Sequence, residues 1–287
     1  MEIFNYSFMY RAFIVGNVIA VIAPLIGVFL IMKRLALIGN TISHVALAGV
    51  ALGMILGVYP VYVAIIVAVL AALGIEKLRE SYQDYAELSL SIILAAGLGL
   101  ATILISLTHN NAGIMSYLFG SITLVSIQDI YLVIPIGIII TSLIFIFYYG
   151  FFYLSFNEVD ARLAGIPVKM LNTIFIVMIS VTVSVSMRII GGLLIASLIS
   201  LPVAASIQIA KSFKSTIGYS ILISLVSVNV GLFISFYADL APGGTIILTG
   251  VGCLLAALLY KNVSLYLVKN SKEKRSPEAK TEVENNE

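Results

Sequence analysis

AFIVGNVIAVIAPLIGVFLIM, residues 12 to 32, carries no charged side chain and runs straight into Lys33-Arg34. A bilayer core of about 30 Å needs about 20 apolar residues in a helix, so this stretch predicts a membrane span closed by a basic pair. It is long for a secretory signal, has no basic leader and no A-x-A site, and is therefore expected to be retained. Working outward, the same criterion marks further spans at 35–57, 60–75, 88–107, 130–152, 171–187, 190–210, 217–236 and 244–260, the third of them short. The chain of 287 residues is 61% hydrophobic and 10% charged, against about a quarter charged in globular domains. The expected fold is all-α, a polytopic membrane protein with eight or nine transmembrane helices over residues 1–262. Residues 263–287, rich in charge of both signs and without hydrophobic periodicity, read as a disordered tail.

Cations give the orientation. With the N-terminus outside, the inner loops and tail hold Lys33, Arg34, Lys77, Arg79, Arg162, Lys169, Lys211, Lys214, Lys261 and five cations beyond them, whereas only Arg11 and Arg188 fall outside. That asymmetry predicts an outer N-terminus, a cytoplasmic C-terminus and residence in the plasma or inner membrane. A net charge of +2, scattered along the chain, gives no footprint for nucleic acid. One cysteine and two histidines cannot form a disulfide or a closed His/Cys zinc site. No Asp or Glu lies at depth in a proposed span, which is where an ion-coupled carrier keeps its coupling groups. The phosphate loop of P-loop ATPases is missing too, as are H-E-x-x-H and G-x-S-x-G. A permease whose driving force comes from another chain fits these exclusions; an autonomous cation channel or secondary carrier is the alternative.

Three segments carry polar chemistry. SFNEVDARLAGIP, residues 155 to 167, is punctuated as a short cytoplasmic helix. Ser155 and Glu158 are read as a capping box, Asp160 as favourable charge in the first turn, Gly165 as the left-handed position past the end, and Pro167 as the stop. Phe156, Val159 and Leu163 share a face, and the opposite side, with Glu158, Asp160 and Arg162, is expected to meet either a partner or only solvent. In the second span Asn40 and His44 are one turn apart on one face, while Gly49, Gly53 and Gly57 repeat every fourth residue for close packing. Imidazole suits zinc and similar metals, and an incomplete ligand set lets an ion leave; equally, His44 can be a structural residue bonded to a neighbouring carbonyl. Asp239, before Pro242-Gly243, stands either at the mouth of a path or as a turn residue, and His109 is an outer loop histidine. Gly192, Ala196, Ser200 and Ala204 form a small-residue stripe, and residues 108–129 are apolar enough for a re-entrant helix.

The chain resembles the membrane permeases of ATP-binding-cassette importers for zinc, manganese and iron, zinc-type. The resemblance runs from residue 8 to 262. It rests on KRLALIGNTISHVALAG (33–49), YLFGSI (117–122), FNEVDARLAGIP (156–167) and Arg188-Ile-Ile-Gly191 leading to Leu201-Pro202. It implies a homodimer, a cytoplasmic ATP-binding subunit gripping the 155–167 helix, and an extracellular or periplasmic metal-binding protein. It also implies that His44 is a ligand for transported metal, with no tightly bound cofactor and no enzymatic activity in this chain. Family members usually carry aspartate where this sequence has Asn40, a change that favours zinc over harder ions such as manganese. Asp239 is the carboxylate then available to compensate.

Overall fold

The structure, a computed structural model, describes residues 6–81, 86–108 and 111–284, with side chains over 6–79, 87–108 and 112–263. The described residues form twelve helices and no strand. These are α1 (Ser7–Met32), α2 (Leu37–Leu56), α3 (Pro60–Ser81), α4 (Ala86–Leu107), α5 (Asn111–Phe119), α6 (Ile127–Ile146), α7 (Tyr148–Phe156), α8 (Glu158–Leu163), α9 (Val168–Ile190), α10 (Ile195–Ile209), α11 (Phe213–Ala238) and α12 (Pro242–Glu284). Eight are long and apolar enough to cross a membrane: α1, α2, α3, α4, α6, α9, α11 and α12 as far as Val263. The span expected at 190–210 is α10, whose 15 residues rise only about 22 Å. It begins late because Gly191, with φ +93, closes α9 and the chain turns before entering α10.

Two further boundaries move. α3 continues past residue 75 to Ser81, since Glu76 and Arg79 pair across one turn at 3.1 Å and the helix absorbs charges that end the hydropathy signal. The span expected at 130–152 breaks at Phe147 into α6 and α7. The backbone of the tail expected to be disordered continues α12 to Glu284, while the apolar part stops at Val263. His109 lies outside the described residues.

α1 is mostly apolar and stands in the middle of the bundle. Met9, Ile19, Ile26 and Phe29 are wholly buried, and the Phe29 ring lies 5.5–6.5 Å from those of Tyr148, Phe151, Phe175 and Phe213. α2 and α3 meet backbone to backbone: a Cβ on Gly49 would stand 2.6 Å from Ala64 Cα, and one on Gly53 2.8 Å from Pro60 Cα. Gly57, the third member of that repeat, packs on nothing; its φ of +67 makes it the left-handed end of α2. On α10 the small residues Ala196, Ser200 and Ala204 are only half-buried. Close approach to α1 comes instead through Ile199, whose carbonyl would lie 2.1 Å from a Cβ on Gly27.

Charges sort to the two ends. Arg11 and Arg188, the pair assigned outside, both donate to carbonyls of the 120–126 loop. Lys33, Arg79 and Glu158 line one cavity at the opposite end.

Candidate functional site

Asn40 and His44 lie in the first two turns of α2, a helix that is otherwise largely buried, and both are half-buried. Leu37 and Ile55 on the same side are 57% and 44% exposed, but Leu47, Ala48 and Ala51 between them are buried, so this face is open only towards its two ends. The Ser43 hydroxyl donates to the Asn40 carbonyl at 2.8 Å. Among the described residues, no hydrogen bond reaches the His44 imidazole, so the carbonyl partner of the structural reading is not there. Nor do three His, Cys, Asp or Glu side chains converge anywhere among the described residues. What one chain offers a metal here is an imidazole and an amide, a set suited to passage rather than retention.

Asp239 does not join them. It is the exposed, left-handed end of α11 (φ +51), its N–H donating to the Ser235 carbonyl. With Phe8, Thr123 and Pro242 it lines a cavity of about 390 Å³. That is the Arg188 end of the molecule, because Ser121 in the same cavity donates its N–H to the Arg188 carbonyl at 3.0 Å. From His44 to the Tyr59 turn at that end α2 rises about 20 Å, too far for Asp239 to replace the aspartate missing at position 40.

The same end holds a buried cluster that reading the sequence did not isolate. Asp129, 3% exposed, begins α6. Its carboxylate accepts from the Ser126 N–H at 2.7 Å, the Ser126 hydroxyl at 2.8 Å and the Tyr59 hydroxyl, and pairs with Arg188 Nε at 3.3 Å. Arg188 also donates to the Tyr59 and Tyr117 hydroxyls at 3.2 and 3.0 Å and to the Leu124 carbonyl at 2.6 Å. Burial, then the bond to Asp129, pushes the Tyr59 phenol above its usual range. One guanidinium thus fastens the α2–α3 turn, α5 and the 120–126 loop to the end of α9. The available signal was Ser126-Ile-Gln-Asp129, a capping box, opposite a lone arginine in an apolar stretch. Asp129 lies at a helix end and not at depth in a span, as read from the sequence, yet it is buried there, where a full set of partners compensates it.

α5 is a short helix within 108–129, where a re-entrant or interfacial one is expected. Its last carbonyls are satisfied by protein: Gly192 N–H donates to Tyr117 O at 2.7 Å and Leu193 N–H to Leu118 O at 3.3 Å.

At the opposite end the 155–167 segment differs from its expectation. Ser155 lies inside α7, where its hydroxyl donates to the Phe151 carbonyl at 2.7 Å, so it caps nothing. Asn157 is the cap: its backbone is extended and its side chain accepts from the Val159 N–H at 2.9 Å. Its amide also donates to Asp160 at 2.8 Å. Gly165 does take the left-handed position (φ +77), with Gly165 N–H to Arg162 O and Ile166 N–H to Ala161 O completing a Schellman end. One charged residue leaves the expected outer side, and the apolar residues are exposed as well. Glu158 turns inward, 3.5 Å from Lys33 Nζ and accepting from the Asn172 amide at 3.2 Å. Phe156, Val159 and Leu163 point outward at 67%, 65% and 82% exposure, beside exposed Asp160 and Arg162. Burial lowers the Lys33 ammonium pKa, against the opposing pull of Glu158. Lys33 is therefore the buried peg by which α1 holds α8 in place.

A family description matches this architecture along its whole membrane-spanning length: that of the ABC 3 transport family, over residues 5–261. The chain belongs to the ABC 3 transport family. It is 34% identical over 259 residues to a probable metal transport system membrane protein of Treponema pallidum, covering 90% of this chain and 97% of that one. It is 29% identical to the high-affinity zinc uptake system membrane protein ZnuB of Haemophilus influenzae, over 85% of this chain and 94% of that one. It is also 29% identical to the manganese import system permease protein ScaB of Streptococcus gordonii, over 93% and 96%. Among solved structures, PsaBC from Streptococcus pneumoniae in complex with Fab superposes with a TM-score of 0.81 at 29% identity, over 89% of this chain and 92% of that one. This ABC 3 member is a multi-pass membrane permease of the metal-transporting kind and not itself an enzyme. The four blocks that carry the family resemblance fall on α2, the Arg188 cluster, α8 and the α9–α10 turn.

Proposed function

We propose that the chain is the permease of a zinc importer, working as a homodimer with its N-terminus outside. A cytoplasmic ATP-binding subunit docks on α8, and a metal-binding protein delivers its cargo at the Asp239 end. The observation that carries this reading is the half-open His44 imidazole, free of hydrogen bonds from the described residues and within a membrane span. Asn40 beside it supplies a neutral ligand, which suits zinc better than manganese; relatives named for each metal are equally near. The cation asymmetry supports the orientation, since Lys33 and Arg79 lie at the α8 end. Metal content measured by mass spectrometry in uptake-deficient cells, with the ATPase and binding protein co-expressed, tests the assignment. Zinc gain should fall to the level of empty cells in His44→Ala at unchanged membrane abundance. Full gain in that variant would return His44 to a packing role, and uptake by the chain without an ATPase would favour a channel.

The docking face proposed for the ATPase is the apolar one. Phe156→Ser with Leu163→Ser should abolish stimulation of ATPase activity by the permease in reconstituted vesicles while leaving the fold intact, because neither side chain is buried. Glu158→Lys should also uncouple, but by repelling Lys33 and freeing α8, and so with a lowered melting temperature. Normal coupling in the double serine variant would remove this face from the interface.

A further inference from the structure

We propose that a groove between α10, α11 and α12 binds one anionic phospholipid at the α8 end of the protein. The groove has a volume of about 600 Å³ and is lined by Lys211, Tyr219, Leu222, Val226, Cys253 and Tyr260 among others. Its position follows from Phe213, two residues after Lys211, whose ring packs 5.0 Å from that of Phe152 and 6.4 Å from that of Phe156. The two tyrosines, 44% and 68% exposed, line the groove past Lys211, Tyr219 in the second turn of α11. Apolar walls continue below them from Tyr260 to Cys253, about 10 Å along α12. Cation, tyrosine and then apolar wall is the order in which a phospholipid presents its phosphate, glycerol and acyl chains.

Charge decides which lipid. From residue 161 to 272 the chain has a single acid, Asp239, and the 26 residues of α11 separate it from Lys211. Among the described side chains no carboxylate pairs with Lys211 or Lys214 at the start of α11, or with Lys261 on α12. Lys261 reaches only a neutral amide, donating to Gln208 Oε1 at 2.9 Å. The acids of α8 at this end are already engaged, Glu158 with Lys33 and Asp160 with Asn157. The cations are thus left for a phosphate supplied by the bilayer.

Native mass spectrometry of the full chain, released from micelles containing phosphatidylglycerol and phosphatidylcholine in equal amounts, tests the site. The expected result is one retained phosphatidylglycerol per chain in preference to phosphatidylcholine. Lys211→Gln with Lys261→Gln should cut that retention by about fivefold for each lysine, and Lys211→Arg with Lys261→Arg should restore it. Excess inorganic phosphate should leave the lipid bound, since the acyl chains hold it as well. Equal retention of both lipids, an unchanged glutamine variant, or displacement by phosphate alone would each overturn the proposal. So would a glutamine variant that changes the proportion of dimer rather than the lipid count, because the groove would then belong to a second copy.

Discussion

Asp129→Ala should lower the thermal midpoint of the purified protein sharply, at a cost of about 3–5 kcal/mol, the range for breaking a buried ion pair from one side. The substitution strands Arg188 among the Tyr59 and Tyr117 hydroxyls and the Leu124 carbonyl, with 17% of its side chain exposed. It also removes the acceptor for the Ser126 N–H, one of the unsatisfied donors at the start of α6. Two comparisons separate these effects. Asp129→Asn keeps one acceptor oxygen while it loses the charge and turns the other oxygen into a donor, so it should destabilise less than alanine. Arg188→Met added to Asp129→Ala removes the orphaned cation and should recover part of the loss, as coupled neighbours do. A midpoint within a degree of wild type for Asp129→Ala alone would show that the cluster holds nothing together.

Gly120→Ala is expected to be nearly as damaging, for a reason of space and backbone rather than charge. Its φ is +81, and a Cβ there would lie 2.0 Å from the Ile189 carbonyl oxygen, a backbone atom that cannot rotate away. The left-handed conformation costs an alanine about 1–2 kcal/mol, and forcing the α5 end from α9 adds about 1–3 kcal/mol of overpacking. The contrasting position is Gly218 in α11, where a Cβ meets nothing within 4 Å. There an alanine should stabilise by about 0.5–1 kcal/mol, through helix propensity alone. Melting temperatures of the two variants in one detergent decide the matter, and equal values would mean that the crowding at Gly120 relaxes without cost.

The sequence was legible wherever the physics is local. Span existence follows from the cost of placing backbone polar groups and charges in hydrocarbon, and it was correct for α1, α2, α3, α4, α6, α9, α11 and the apolar part of α12, with ends that moved in α3 and α6. The left-handed Gly165 was legible because only local sterics are involved, and Gly49 with Gly53 because a four-residue repeat puts both on one side of a helix. Orientation, the docking partners and the metal remain readings that the experiments above test.

The failures are those in which a side chain had a choice of partner. Ser155 and Glu158 have the spacing of a capping box, yet Ser155 is buried within α7 and Glu158 is drawn to Lys33, more than a hundred residues earlier in the chain. That competition draws Glu158 inward and leaves Phe156, Val159 and Leu163 exposed beside Asp160 and Arg162. Asp129 lies next to a predicted span, and nothing local announces that Arg188 and Tyr59 will come to it. Sequence by itself determined which segments enter the membrane and where the helices can touch, because burial cost and small-residue spacing act within a single helix. Tertiary structure alone decided which charges are buried and which face of α8 is free, because pairing depends on residues distant in the chain meeting at the same end of the bundle.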